Sequence, residues 1–194
     1  MRAAGREIDW FVCSPRRRAI ETAAILEPAV GLGAEPAADW ADQDFGEADG
    51  CARATLSAGL VRAAQMSPGR PPAPGAESWN DYVARIAQAL SRSRPPRSGP
   101  AESPDPAGRG RGRSILVVTH GEAVNAVHQV LLGLPLGWPG PLGMVVGTTG
   151  LCVWREEPLD PYRPEFGWEW RLVRHNDTSH LHEQPDISGW LACR

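Results

Sequence analysis

The chain has 194 residues, 20 of them basic and 23 acidic, for a formal net charge of −3; it is long enough to bury one core and too evenly charged to point to a nucleic-acid or membrane-surface partner. No apolar run is long enough to span a bilayer, and residues 1–7 lack the apolar core of a signal peptide. Four cysteines without paired or metal-type spacing, Cys13, Cys51, Cys152 and Cys193, fit a reducing compartment, so a cytoplasmic protein is expected.

The first apolar run, residues 8–13, predicts a short strand. Ser14-Pro15 supplies a hydroxyl cap and a proline for a following helix. Ala19, Ile20, Ala23 and Ala24 provide that helix's packing face. Arg16, Arg17 and Arg18 fall in its first turn, the wrong sign for the helix dipole unless an anion binds there. Arg16 and Arg17 are expected in solvent. Residues 40–50 form an acidic, turn-rich stretch in which Asp42, Asp44, Glu47 and Asp49 are too close together all to be buried. One of them is a candidate catalytic acid.

Proline-rich residues 69–75 read as a loop, and Glu77-Ser78 opens a second helix whose stripe is Trp79, Tyr82, Val83, Ile86, Ala87 and Leu90. Residues 91–113 are rich in Pro, Gly, Ser and Arg and predict a mobile surface loop. Ile115-Leu116-Val117-Val118 then reads as a parallel-sheet strand buried on both faces. Behind it, Ala123, Ala126, Val127, Val130, Leu131 and Leu134 recur with helical period. His120 therefore sits where a strand ends and a helix begins, the edge of an α/β sheet at which ligands bind, and Gly121 leaves room beside the backbone.

Residues 136–143 read as a connection. Met144-Val145-Val146 and Leu151-Cys152-Val153-Trp154 predict late strands in a hairpin about residues 147–150, and the alternation over residues 168–173 predicts an edge strand. Three histidines follow, His175, His180 and His182, without a carboxylate or cysteine at ligand spacing, so no metal is expected. A GxSxG elbow, a P-loop and a GxGxxG fingerprint are all missing, which excludes the commonest hydrolase, nucleotide triphosphatase and dinucleotide readings.

Five segments in register resemble the histidine phosphatase superfamily, the phosphoglycerate-mutase-like group. Residues 14–23, from Ser14-Pro15 through Arg18-Ala19 to Thr22-Ala23, look like the family's S-P-x-x-R-A-x-x-T-A. Residues 42–50, Asp-Gln-Asp-Phe-Gly-Glu-Ala-Asp-Gly, resemble E-x-x-F-G-x-W-E-G, with Asp42 for the usual Glu and Ala48 for the usual Trp. Pro74-Gly75-Ala76-Glu77-Ser78 is similar to P-G-G-E-S, Val118-Thr119-His120-Gly121 to V-S-H-G, and residues 176–181 to N-D-x-x-H-L.

The resemblance implies one three-layer α/β/α domain over residues 1–194 with a mostly parallel sheet. It implies a phosphatase of small phosphate esters that works through a phosphohistidine without metal or other cofactor. On this pattern Arg18, His120 and Gly121 bind the phosphoryl group, and Asp42 is the general acid, with Asp44 and Glu47 as alternatives. The family's R-H-G motif, which carries the nucleophile at the end of its first strand, has no counterpart, since the five histidines are His120, His128, His175, His180 and His182. A sheet lacking the family's first strand, with a gap and low stability, is therefore expected, and the chain as it stands is expected to be inactive. A non-catalytic anion-binding protein and a phosphomutase are the alternatives.

Overall fold

A computed structural model describes residues 8–50, 67–93, 113–136, 144–160, 162–163 and 166–181. They form two compact units, the first within residues 1–97 and 113–142, the second within 98–112 and 143–194. No helix among the described residues is long and apolar enough to cross a membrane.

The first unit is built on a parallel sheet in the order β2-β1-β3: β1 is Trp10–Cys13, β2 is Glu35–Pro36 and β3 is Ile115–Val118. β1 is the central strand, with Phe11, Val12 and Cys13 buried. β3 lies directly beside it, Trp10 opposite Ile115 and Cys13 opposite Val118, so the expected gap does not fall between these two strands. The expectation that β3 is buried on both faces does not hold. All four of its residues are half-buried, because it has one strand neighbour among the described residues.

Helices cover both faces of the sheet. Strand side chains alternate, so Val12, Trp10, Ile115 and Val117 point to one side and Phe11, Cys13, Leu116 and Val118 to the other. On the second side lies α1, Arg17–Val30, which packs through Ala23, Leu26 and Val30. Ile20 and Ala24, expected on its packing face, are exposed. On the first side lie α2, Trp79–Ser93, and α3, Gly121–Leu131, with the buried ring of Trp40 from a 3-10 turn over Ala38–Trp40. The layers are α/β/α, as the family resemblance implied. Each fully buried side chain such as Phe11 or Ile86 stabilises the fold by about 1.5–3 kcal/mol.

Three local expectations are corrected. Ser14 is not the cap of α1: the helix starts at Arg17, its N-cap is Arg16, and Gly31 closes it in the left-handed conformation with φ 79°. The Ser14 hydroxyl instead accepts the Arg16 N–H at 3.2 Å. α2 runs through residues 91–93, where the composition predicts the start of a loop, and there the Ser93 hydroxyl bonds back to the Ala89 carbonyl at 2.7 Å. Residues 94–112, the rest of that loop, lie outside the described residues, as do 137–143 of the connection and His182. At the other end of α2, Ser78 Oγ accepts the Asp81 N–H and donates to the Asp81 carboxylate at 2.6 Å, a reciprocal cap.

The second unit is an antiparallel pair, β4 Leu151–Pro158 with β5 Trp168–Asp177. Residues 144–146 form no strand, so β4 pairs with the tryptophan-rich segment and not across the expected hairpin. The side chain of Asn176 explains the difference: its Oδ1 accepts the Gly147 N–H at 2.8 Å and holds the 147–150 turn against β5. The polar tail is thus partly strand. Its Asp177 carboxyl is held down at about 2 by the hydrogen bonds of Ser179 and by Arg174.

Candidate active site

β1 and β3 run parallel in register, so their carboxyl ends, Cys13 and Val118, come out side by side. The Ser14 N–H donates to the Val118 carbonyl at 2.8 Å, which sets Ser14 next to the 119–121 turn. His120 is the N-cap of α3 in extended conformation, and its carbonyl accepts the Val124 N–H. Its ring does not cap the helix and is free to face the sheet edge. A third segment is tied in by Thr119, whose hydroxyl donates to the Trp40 carbonyl at 2.9 Å and brings Asp42 to the same edge.

Arg18, Asp42 and His120 converge there. Arg18 Nε donates to His120 Nδ1 at 3.1 Å, and the other arm of the guanidinium reaches Asp42 Oδ2 at 2.5 Å. Asp42 Oδ2 is 3.4 Å from His120 Nδ1. The His120 and Asp42 side chains are 5% and 18% exposed, whereas Arg18 at 64% forms the open wall. Because Nδ1 accepts from a guanidinium, the ring proton belongs on Nε2, which then donates to Ser14 Oγ at 2.7 Å. Burial pushes His120 below the ordinary histidine value; Asp42 pulls it up, and Arg18 and Arg16 push it further down. The site therefore presents a neutral ring and a cation to whatever anion enters between Arg18 and the helix N-termini.

The remaining sequence candidates separate. Gly121 is the first residue of α3, and a Cβ built on it would meet nothing within 4 Å, so the space beside it is open. Asp44 turns away: its Oδ1 accepts the Gly46 N–H at 2.8 Å. Glu47 lies in a second 3-10 turn, Gly46–Ala48. Arg17 is a solvent residue, paired with Glu21 at 2.6 Å on the same helix. Arg16 is not simply solvated: it faces Asp49 at 3.7 Å and, with Pro15, Ala41, Asp42, Asp44 and Arg85, lines an open cavity of about 600 Å³. Two residues escape the sequence reading. Ser14 carries the sequence signature of a helix cap, and Arg85 sits on the half-buried side of α2, where a charge among apolar neighbours is the available signal.

Residues 1–158 match the family model of the histidine phosphatase superfamily, branch 1. The chain belongs to this superfamily. Solved structures agree. A mycobacterial glucosyl-3-phosphoglycerate phosphatase in complex with inorganic phosphate is 25% identical, with TM-score 0.66, 90% of this chain and 80% of that one being covered. A protein described as mycobacterial hydrolase 1 is also 25% identical, with TM-score 0.66 and coverage of 88% and 78%. Bacillus stearothermophilus YhfR, at 17% identity, TM-score 0.63 and coverage of 91% and 78%, shares the fold. No curated protein matches the chain by sequence. Membership of the histidine phosphatase superfamily and the mycobacterial phosphatase neighbour support a function of the phosphatase or phosphomutase type.

Proposed function

We propose that this histidine phosphatase superfamily chain carries the phosphoryl-binding half of a metal-independent phosphatase for small phosphate esters. The observation that supports it is the meeting of Arg18, Asp42 and His120, from three separate elements, around one open edge of the sheet. A phosphoryl dianion has two uses for this arrangement. The Arg18 fork, now shared between His120 and Asp42, is the natural bidentate partner of two phosphoryl oxygens. His120, once protonated at Nδ1, donates to a third. As the phosphoryl group takes over Arg18, Asp42 loses its cation and gains an anionic neighbour, and both changes favour its protonated form. A carboxylic acid beside the leaving oxygen is then in place to protonate it. The cavity beyond Asp42 offers room for the leaving group.

A second reading is favoured by one fact. Both ring nitrogens of His120 already have partners, so the described site offers no histidine free to attack phosphorus. On that reading the chain binds phosphate without turning it over. The test is vanadate binding by calorimetry together with hydrolysis of p-nitrophenyl phosphate in chelator, for this chain and for a version extended upstream of Met1. Vanadate binding that disappears in Arg18→Ala, with turnover and acid-labile phosphate on a histidine in the extended protein, is the expected result. Binding without turnover in either protein establishes the second reading, and no binding at all rejects both.

A further inference from the structure

Asp42 sits on a turn with little structure of its own, between a 3-10 turn ending at Trp40 and another starting at Gly46. Arg18, its ion-pair partner, is mostly exposed and rests on a long flexible stem. Thr119 ties the Trp40 carbonyl to the sheet edge and the Gln43 N–H donates to Asp42 Oδ1 at 3.2 Å, which leaves the backbone of residues 38–42 to be held from elsewhere. On the inner side of the turn, one guanidinium gathers the backbone. Arg85 Nη1 donates to the carbonyls of Asp39 at 2.9 Å and Ala41 at 3.2 Å, with that of Ala38 at 3.5 Å, and Nη2 donates to the carbonyl of Asp42 itself at 3.3 Å. Its remaining donors hold Glu77 in a two-pronged pair, Nε to Oε1 at 3.0 Å and Nη2 to Oε2 at 2.7 Å. The Tyr82 ring lies under it, 4.7 Å from Cζ.

Glu77 closes the arrangement from the other side. Its N–H donates to the Asp44 carbonyl at 2.8 Å and its carbonyl accepts the Gln43 side chain at 2.9 Å. The chain on both sides of Asp42 is thus tied to a single Arg85–Glu77 pair whose side chains are 23% and 17% exposed. Backbone carbonyls aimed at a cation in a partly dry site are charge-assisted contacts, stronger than neutral ones. A planar fork is needed to serve carbonyls and carboxylate in one plane, which a lysine ammonium does not offer.

We propose that Arg85, with Glu77 as its counter-charge, is the positioning residue that holds the Asp42 carboxylate beside His120, acting through the backbone of residues 38–42. It is not in the phosphoryl path, and its role as support for an acid rests on the phosphatase reading; its role in placing Asp42 does not. The placement is read on His120 itself. The charged groups acting on that ring are Asp42, Arg18 and Arg16. Only Asp42 raises its proton affinity, so a displaced Asp42 lowers the titration midpoint of His120.

The experiment is an NMR titration of His120 in the 194-residue protein. Arg85→Lys keeps the charge and loses the fork; it is expected to lower the His120 midpoint by the same shift as Asp42→Asn, with no further shift in the double variant. Glu77→Gln, the milder change, is expected to give part of that shift and serves where Arg85→Lys fails to fold. A folded Arg85→Lys or Glu77→Gln protein with an unmoved His120 titration overturns the proposal, as does full additivity with Asp42→Asn. In a protein that turns over, Arg85→Lys should lose kcat on phenyl phosphate by on the order of 10²-fold while p-nitrophenyl phosphate, which needs no acid, is spared. Failure of vanadate binding would reject both functional readings of the site, and the His120 titration would still decide whether Arg85 places Asp42.

Discussion

His120 gathers most of the chemistry into one ring. Its Nε2 proton is spoken for by Ser14, its Nδ1 lone pair by Arg18, and its surroundings resist protonation. Unfolded, the same ring takes up a proton as pH falls through its ordinary value of 6.5; folded, it does so only at lower pH. Well above that value the two states bind equal numbers of protons and His120 contributes nothing to the pH dependence. Below it the unfolded state binds more, so stability is lost as pH falls, until the folded ring also protonates and the loss levels off. The urea midpoint should therefore drop as pH falls through 6.5, and His120→Gln should remove part of that drop. An equal drop in the variant would show that carboxylates account for it entirely. His120, Arg18 and Asp42 are all readable from sequence as candidates; the bond that His120 donates to Ser14 is not, because a hydroxyl before a proline has the signature of a helix cap.

At the scale of elements, the acid turn and the Pro74-Gly75 loop are pressed together backbone to backbone. Gly46 has φ +54°, and a Cβ on it would lie 2.3 Å from the Pro74 carbonyl oxygen and 2.4 Å from the Ala76 nitrogen. The Glu47 N–H donates to that same Pro74 carbonyl at 3.1 Å. Neither the left-handed conformation nor the contact tolerates a methyl group. Gly46→Ala is expected to destabilise by at least about 2 kcal/mol, the sum of a positive-φ penalty and forced separation of two backbones. A denaturation midpoint within error of the parent would mean that the two loops are not packed this way. Helices, strands and turns are legible wherever period and punctuation agree, as in α2, α3 and β1. Legibility fails where a side chain overrides the local pattern: Asn176 claims the 147–150 turn, and β5 pairs with β4 well beyond the alternating stretch.

Across the first unit, the sheet separates two apolar clusters. Val12, Trp40, Tyr82, Val83, Ile86 and the alanines of α3 fill one side; Phe11, Cys13 and Ala23 centre the other. Substitutions on opposite sides belong to different clusters and should act independently. Phe11→Ala is expected to cost about 3–5 kcal/mol and Ile86→Val about 0.5–1.5 kcal/mol, the double variant falling within about 0.5 kcal/mol of the sum. A coupling much larger than that would mean that the thin sheet transmits repacking from one side to the other. The second unit rests on a different basis: its antiparallel pair β4 and β5 carries exposed charge partners such as Arg171 with Glu157 at 3.0 Å and with Glu169 at 2.7 Å, each worth little alone.

What the sequence determined by itself was the alphabet of the site and the class of the fold. A run of β-branched residues ending in a histidine, an arginine in the first turn of a helix and an acidic turn flanked by glycine are local patterns, and local patterns are set by backbone preference and side-chain period. Which of Asp42, Asp44 and Glu47 would stand beside His120 was beyond its reach. That choice depends on where a loop is pinned by partners 34 to 46 residues away, through Gln43 on Glu77 and Arg85 on the carbonyls of residues 39 to 42. Hydrogen bonds to main-chain carbonyls leave no mark in the identity of the residues that accept them, so only the tertiary structure could place Asp42 beside His120 and reveal the arginine bonded to its turn.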